Sequence, residues 1–350
     1  MLSSRPMKTF YYPQHIRHDP EQLHRPDTPT RNQLYSEIAR RGTLIHEAIA
    51  AAGFGPIEPP ADYSMAPLTA VHDAGLIEFL SQAFDIFQKE TGGWRAIPNT
   101  FSVRRTPSRL PRSIWGLMGY YAFDTASPIF AGTWEATYWS AQTAVNAAAE
   151  TLQTGTTSYA LCRPPGHHAT ADLYGGYCFL NNAAIAAQWL VDQGQRVAIL
   201  DVDYHHGNGT QAIFYGRSDV LFCSLHADPL DEYPNYWGFA DEFGEGEGEN
   251  YNFNYPMPLG TEEPAYLESL KAALAQVRRF APDALVVSLG LDAFEGDPVG
   301  GFRLQTDSFR KIGQMIGEVG VKTAVIQEGG YQLDHLAQNT LAFFHGLLAH

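Results

Sequence analysis

Four short segments carry side chains that can bind a metal or move a proton, and each follows an apolar run. Ser158–Cys162 leads into Arg163-Pro-Pro-Gly-His167-His168, and Arg196–Leu200 leads into Asp201-Val-Asp203-Tyr-His205-His206-Gly-Asn208. Ala284–Leu289 is followed by Gly-Leu-Asp292-Ala-Phe-Glu-Gly-Asp297, and Thr323–Ile326 by Gln-Glu328-Gly-Gly-Tyr331. In extended chain, residues two apart share a face, so Asp201, Asp203 and His205 point the same way. Carboxylates and an imidazole aimed at one place can hold a metal ion. Asp292, at a different strand end, can supply a third ligand beside Asp203 and His205. Two carboxylates and one imidazole leave a tetrahedral Zn²⁺ one open position, as catalytic rather than structural zinc requires.

Beside such a site, His167 and His168 become candidates for proton transfer, because imidazole titrates near neutral pH. Asp201 and Asn208 are available to orient them. Glu-Gly-Gly-Tyr331 places a phenol on a glycine-rich turn, where its O–H can donate to a developing oxyanion. Asp297 is read as a turn cap rather than a ligand. The five acids within Asp241–Glu249 are read as a solvated loop. His15, His18, His24, His46, His226, His335, His345 and His350 are scattered and are read as structural or surface residues.

These groups need a scaffold. The four apolar runs, with Val220–Ser224 as a fifth, are rich in β-branched residues and read as strands. Helical spacing is seen over Asn32–Ala52, Ala74–Gln88, Gly132–Leu152, Asn181–Asp192, Pro264–Phe280, Thr306–Val319 and Leu333–Leu348. The Asn181-Asn182 pair suits an N-cap, and Gly194 a stop. Strand–helix alternation over residues 158–348 predicts an α/β fold with a central, mostly parallel sheet flanked by helices. Ligands of such sheets bind beyond the carboxyl ends of the strands, where the four segments fall. Residues 1–350 read as one domain, without repeats or an internal linker. Gly92–Ser113, with Pro, Gly and clustered Arg, reads as a long loop, a length usually tied to function or an interface.

Forty-five per cent of the 350 residues are hydrophobic and 17% are charged, an ordinary folded composition. A formal net charge of −15 repels nucleic acid and anionic membranes and can favour cations. The three cysteines, Cys162, Cys178 and Cys223, lie in apolar stretches and read as reduced thiols of a cytoplasmic protein. The first residues show no apolar signal-peptide core, and no run reaches the ~18 apolar residues of a membrane span.

Taken together, Arg163-Pro-Pro-Gly-His-His, Gly175-Gly-Tyr-Cys-Phe-Leu-Asn-Asn, Asp201-Val-Asp-Tyr-His-His-Gly-Asn-Gly-Thr-Gln, Ser224-Leu-His, Leu291-Asp-Ala-Phe-Glu-Gly-Asp-Pro and Glu328-Gly-Gly-Tyr resemble the histone deacetylase superfamily. The resemblance is nearest to the bacterial acetylpolyamine amidohydrolases and runs from about residue 8 to the C-terminus. It implies the arginase–deacetylase fold. It also implies Asp203, His205 and Asp292 as ligands of Zn²⁺ (or Fe²⁺), and His168 as general base and acid. His167 would be paired with Asp201, Asn208 would partner His168, and Tyr331 would serve the transition state. A structural K⁺ is implied at Asp201, Asp203, His205, Ser224 and Leu225, and a second near Phe214, Val220 and Tyr251. Gly176, Tyr177 and Tyr233 match substrate-tunnel walls.

Gly92–Tyr121 matches an inserted loop that, in acetylpolyamine amidohydrolases, crosses a homodimer interface and narrows the active-site mouth. Where those enzymes place acids toward the polyamine, this chain has Trp115 and Ala126, with Asp124 displaced, and its loop over residues 15–31 is shorter. Trp115 is therefore read as facing the distal end of the substrate. The resemblance implies a zinc-dependent deacetylase that removes an acyl group, chiefly acetyl, from small, cationic acylated amines such as acetylpolyamines or acetylated diamines. A protein-lysine deacetylase shares this chemistry. An arginase-like ureohydrolase would need further carboxylates at a second metal, but Ala-Phe-Glu follows Asp292. A non-catalytic acyl-amine binding module would be expected to lose Tyr331 or a histidine, and neither is lost.

Overall fold

Runs of β-branched residues form strands because the pleated backbone leaves room for branching at Cβ. The computed structural model describes residues 6–19, 35–103 and 108–349 and places these runs side by side. The strands are β1 (Lys8–Tyr11), β2 (Ile57–Glu58), β3 (Ser158–Leu161), β4 (Val197–Asp201), β5 (Val220–Ala227), β6 (Asn252–Met257), β7 (Ala284–Leu289) and β8 (Thr323–Gln327). They form one sheet in the order β2-β1-β3-β8-β7-β4-β5-β6, and each pairing is parallel. The four segments with chemical side chains follow β3, β8, β7 and β4, which are neighbours in the middle of the sheet. Their carboxyl ends therefore converge.

The register sorts alternate residues onto two cores. Ala198, Leu200, Leu221, Leu285 and Val287 pack with Leu270 and Leu274 of α8 (Glu263–Phe280), Phe309 of α9 (Thr306–Gly317) and Phe344 of α10 (Leu333–Leu347). Val197, Ile199, Val220, Phe222 and Val286 face the other way. They meet Ala144 and Ala148 of α5 (Thr133–Thr154) and Ala183 and Ala187 of α6 (Asn182–Asp192). The central strands β3, β4, β5, β7 and β8 are thus buried on both faces, as parallel sheets require. Truncating one such side chain, for example Leu285→Ala, should cost about 2–5 kcal/mol through the cavity it leaves.

The remaining helices are α1 (Ala39–Ala52), α2 (Ala66–Thr69), α3 (Ala74–Thr91), α4 (Ile114–Tyr121) and α7 (Asn208–Phe214). Two expectations are corrected. The helix read over Asn32–Ala52 begins at Ala39, with residues 32–34 outside the described residues. Ile38 is extended, and this brings the buried Glu37 carboxylate 2.7 Å from Arg163 Nε and 3.0 Å from Arg41 Nη1. The loop read over Gly92–Tyr121 ends in α4, whose N-terminus is capped by Ser113 Oγ accepting from Gly116 N at 3.2 Å. Most of the shortened 15–31 loop, and residues 104–107, lie outside the described residues.

Candidate active site

Asp201 ends β4, and the chain then leaves the sheet through Asp203 and His205. Asp292 arrives from the end of β7. One ligating atom from each of Asp203, His205 and Asp292 lies within 4.8 Å of the others, and all three residues are buried. His205 Nδ1 is 3.3 Å from Asp203 Oδ1 and 3.2 Å from Asp292 Oδ2. Each carboxylate is fixed by backbone donors. Asp203 accepts from Gly329 N at 2.8 Å and His205 N at 2.9 Å, and Asp292 accepts from Tyr204 N at 2.9 Å. A Cβ on Gly329 would strike both carboxylates, and one on Gly290 would strike Asp203. Those glycines keep the volume around the triad clear. Two buried carboxylates this close repel one another unless a cation lies between them, so the donor set fits one divalent metal with an open position.

The histidine pair sits on a loop held at both ends. Glu328 Oε2 accepts from Gly166 N at 2.6 Å and from His167 N at 3.1 Å. Asn181 caps α6 through Ala184 N at 2.9 Å, while its amide donates to Ala169 O at 3.0 Å. His167 Nδ1 lies 2.9 Å from Asp201 Oδ2 and His168 Nδ1 lies 2.7 Å from Asn208 Oδ1. The two rings are 4.0 Å apart between centroids.

Their electrostatics diverge. Burial opposes protonation of His167, but the charges of Asp203 and Asp201 outweigh it and push its pKa up to about 10. Burial, then the positive charge of His167, hold the His168 pKa well below the ordinary histidine value. Because Asn208 Oδ1 can only accept, His168 carries its proton on Nδ1 and keeps the Nε2 lone pair free. One histidine is charged and its neighbour neutral, the division that acid–base work requires. Burial also pushes Glu328 up to about 7.

A cleft of about 400 Å³ opens at His205 and is lined also by His168, Gly176, Tyr177, Glu232, Tyr233, Val299 and Tyr331. The Tyr233 ring stands perpendicular to His168 at 5.0 Å, and Tyr177 lies 5.6 Å from Tyr331. Asp297 accepts from the backbone N–H groups of Tyr331 at 2.7 Å and Gln332 at 2.9 Å, so it anchors the turn that carries the phenol. Arg41 sits behind that turn, 4.3 Å from the Tyr331 ring centroid.

The residues read from sequence do not all meet here. Trp115 is on α4, 39% exposed, with its ring edge against Phe87, and it does not line the cleft. The expectation that it faces the substrate is thus not met within the chain, because the cap at Ser113 turns that stretch into a helix packed on α3. Ser224 is the register partner of Asp201 in β5, whereas Phe214, Val220 and Tyr251 gather away from the cleft near the start of β5. Glu242 departs from a wholly solvated acidic loop, since it accepts from Gln211 Nε2 at 2.6 Å and Gly238 N at 2.8 Å. The sequence alone assigns no role to Arg41, Glu328, Asp124 or Glu232; Glu328 lies in the Glu-Gly-Gly-Tyr motif, whereas Arg41 and Glu232 belong to none.

Among the described residues, a parallel α/β sheet brings together a buried Asp–His–Asp group that could hold a metal, a histidine pair and a cleft-lining tyrosine, the arrangement of an amide hydrolase. Comparison with known proteins agrees. The histone deacetylase domain model matches residues 25–347. The chain is 44% identical over 311 residues to "Acetylpolyamine amidohydrolase 2" of Pseudomonas aeruginosa, covering 89% of this chain and 90% of that one. It is 43% identical over 345 residues to "Acetylpolyamine amidohydrolase" of Burkholderia pseudomallei, covering 97% and 98%. A crystal structure of acetylpolyamine aminohydrolase from Burkholderia pseudomallei superposes with a TM-score of 0.89 at 41% identity, over 97% of this chain and 98% of that one. The chain belongs to the histone deacetylase domain family and is an enzyme that acts on amide bonds.

Proposed function

We propose that this enzyme is a Zn²⁺-dependent deacetylase that hydrolyses N-acetylated small amines, acetylpolyamines or acetylated diamines, to acetate and the free amine. One observation carries the reading: His168, His205 and Tyr331 line one cleft, and His205 is a member of the Asp203–His205–Asp292 triad. The 400 Å³ cleft admits a slender acylamine. Asp203, His205 and Asp292 would hold Zn²⁺ or Fe²⁺, which when bound would supply Lewis acidity for activating water and polarising the acyl carbonyl.

His168 Nε2 takes the proton from the attacking water, while charged His167 beside it, fixed by Asp201, stabilises the negative charge that develops. The Tyr331 hydroxyl donates to the oxyanion as the carbonyl carbon becomes tetrahedral. Burial keeps that phenol protonated, its pKa well above the ordinary tyrosine value. His168 then gives its proton to the amine nitrogen, the C–N bond breaks, and acetate and amine leave. Gly176, Tyr177 and Tyr233 wall the alkyl chain.

The reading carries further parts: K⁺ held by Asp201 and its register partner Ser224, with Asp203, His205 and Leu225, and a second near Phe214, Val220 and Tyr251. It also includes one domain over residues 1–350, a homodimer formed through the 92–121 segment, and a cytoplasmic setting. Among the described residues no helix is long and apolar enough to cross a membrane.

The test is acetate release from a panel of acetylated diamines, acetylated polyamines and acetyl-lysine peptides. The small amines should be the better substrates. His168→Ala and Tyr331→Phe should each lower kcat on the order of 10²-fold. Near-normal turnover in either variant would remove that residue from the mechanism.

A further inference from the structure

Resting on the deacetylase reading, we infer that Glu232 is the specificity-determining residue that binds the distal ammonium of the substrate. Two acids hydrogen-bond to residues of the cleft lining, and the structure treats them differently. Asp124 is spent inside the wall. Its Oδ2 accepts from Gly176 N at 2.9 Å and from the Tyr233 hydroxyl at 2.7 Å, and its Oδ1 accepts from Ala126 N at 2.9 Å. It does not line the cleft. Glu232 does, and among the described residues it is the one carboxylate on that lining, with no lysine or arginine beside it.

Glu232 is also aimed. Its Oε2 accepts from the buried Tyr204 hydroxyl at 2.9 Å and its Oε1 from Tyr233 N at 2.9 Å. Tyr204 stands edge-on to His205 with ring centroids 4.9 Å apart, so one phenol ties the carboxylate to the metal-binding segment. A carboxylate offers about four lone-pair sites, and these two donors occupy one on each oxygen. Both oxygens keep acceptor capacity for a ligand, while the rotamer entropy of the side chain is already surrendered. A fixed, half-buried anion flanked by Tyr233 and Val299 is a receptor for a cation at the end of a short alkyl chain. The reacting amide reaches the triad and the ammonium stops at Glu232. Trp115, on the outer face of α4, takes no part.

The test compares metal-loaded enzyme on an N-acetylated α,ω-diamine and on a neutral N-alkylacetamide of the same chain length. Wild type should favour the diamine, and the preference should shrink as salt is added. Glu232→Gln should lower the diamine-to-neutral ratio of kcat/KM by roughly tenfold, chiefly through KM, and remove its salt dependence. Glu232→Lys, which reverses the charge, should push the ratio lower still and serves if the glutamine variant folds poorly. A ratio within about twofold of wild type in a folded variant overturns the inference while leaving the deacetylase reading standing. Failure of wild type on both probes would sink the deacetylase reading, and this inference with it.

Discussion

Arg41 and Tyr331 form a stacked pair across the back of the active site, the guanidinium lying 4.3 Å from the phenol centroid. Arg41 also donates from Nε to Gly330 O at 2.6 Å and from Nη2 to Glu328 O at 2.8 Å. One planar side chain therefore clamps both the ring and the glycine turn that carries it, a fork geometry that lysine cannot copy. Arg41→Lys should lower kcat by about tenfold or more while KM and metal content change little. Arg41→Ala should also destabilise the fold by about 3–5 kcal/mol, because the buried Glu37 loses a partner. Unchanged kcat in a folded Arg41→Lys enzyme would show that the turn holds Tyr331 without the clamp.

The Asp203–His205–Asp292 group should bind about one divalent ion per chain, the count expected of a three-ligand catalytic site. Elemental analysis of purified enzyme should find it, and Asp292→Ala should lose most of it. Two equivalents, or full occupancy in the variant, would contradict the assignment.

His72 predicts a pH dependence that is independent of the chemistry. Burial, only partly opposed by the Thr170 and Ala171 carbonyls, holds its pKa down at about 4 against 6.5. Its Nε2 accepts from Asn181 N at 2.9 Å, so the fold requires the neutral ring. The unfolded chain binds the extra proton between those values. The contribution to stability is therefore complete above about pH 6.5 and is lost as pH falls toward about 4. The loss is on the order of 3 kcal/mol. His226, also pushed down by burial to about 4, acts in the same direction. In His72→Gln, urea midpoints between pH 7 and 4.5 should fall less steeply than in wild type, because the titrating group is gone. Equal slopes would show that His72 is protonated in the fold without penalty.

The 92–121 segment leaves Trp94, Phe101, Val103 and Leu110 45%, 40%, 71% and 58% exposed. That is more apolar surface than an idle loop carries. Light scattering should give a mass about twice 38.7 kDa. Val103→Glu with Leu110→Glu should shift it toward the monomer. A wild-type monomer at micromolar concentration with full activity would count against this interface.

What could be read before the fold was known follows from which signals are local. β7 was read to the residue, and β4 within one, because buried parallel strands are unbroken apolar runs. The convergence of Asp203, His205 and Asp292 followed from period-two spacing and from where parallel sheets place ligands. β6 is not legible in the sequence because Pro256 interrupts Asn252–Met257, a break tolerated because that strand lies at the sheet edge. β1 and β2 have four and two residues, too short to show a period. Arg41 and Glu232 were invisible for a different reason. The bonds from Arg41 to Gly330 O and from Tyr204 to Glu232 span 289 and 28 residues, so no spacing within one segment encodes those contacts.

The order of the central strands also governs how the enzyme comes into being. Ser158 pairs with Ala324, Val197 with Ala284, and Leu285 with Thr323, so each pairing beneath the site closes a long stretch of chain. High contact order makes such closure slow. During synthesis the histidine pair and the first two ligands emerge long before Asp292, and the tyrosine turn emerges last. The histidine loop, the ligand segments and the tyrosine turn reach one place only when β8 lies between β3 and β7, so the last central strand in the sequence closes the site.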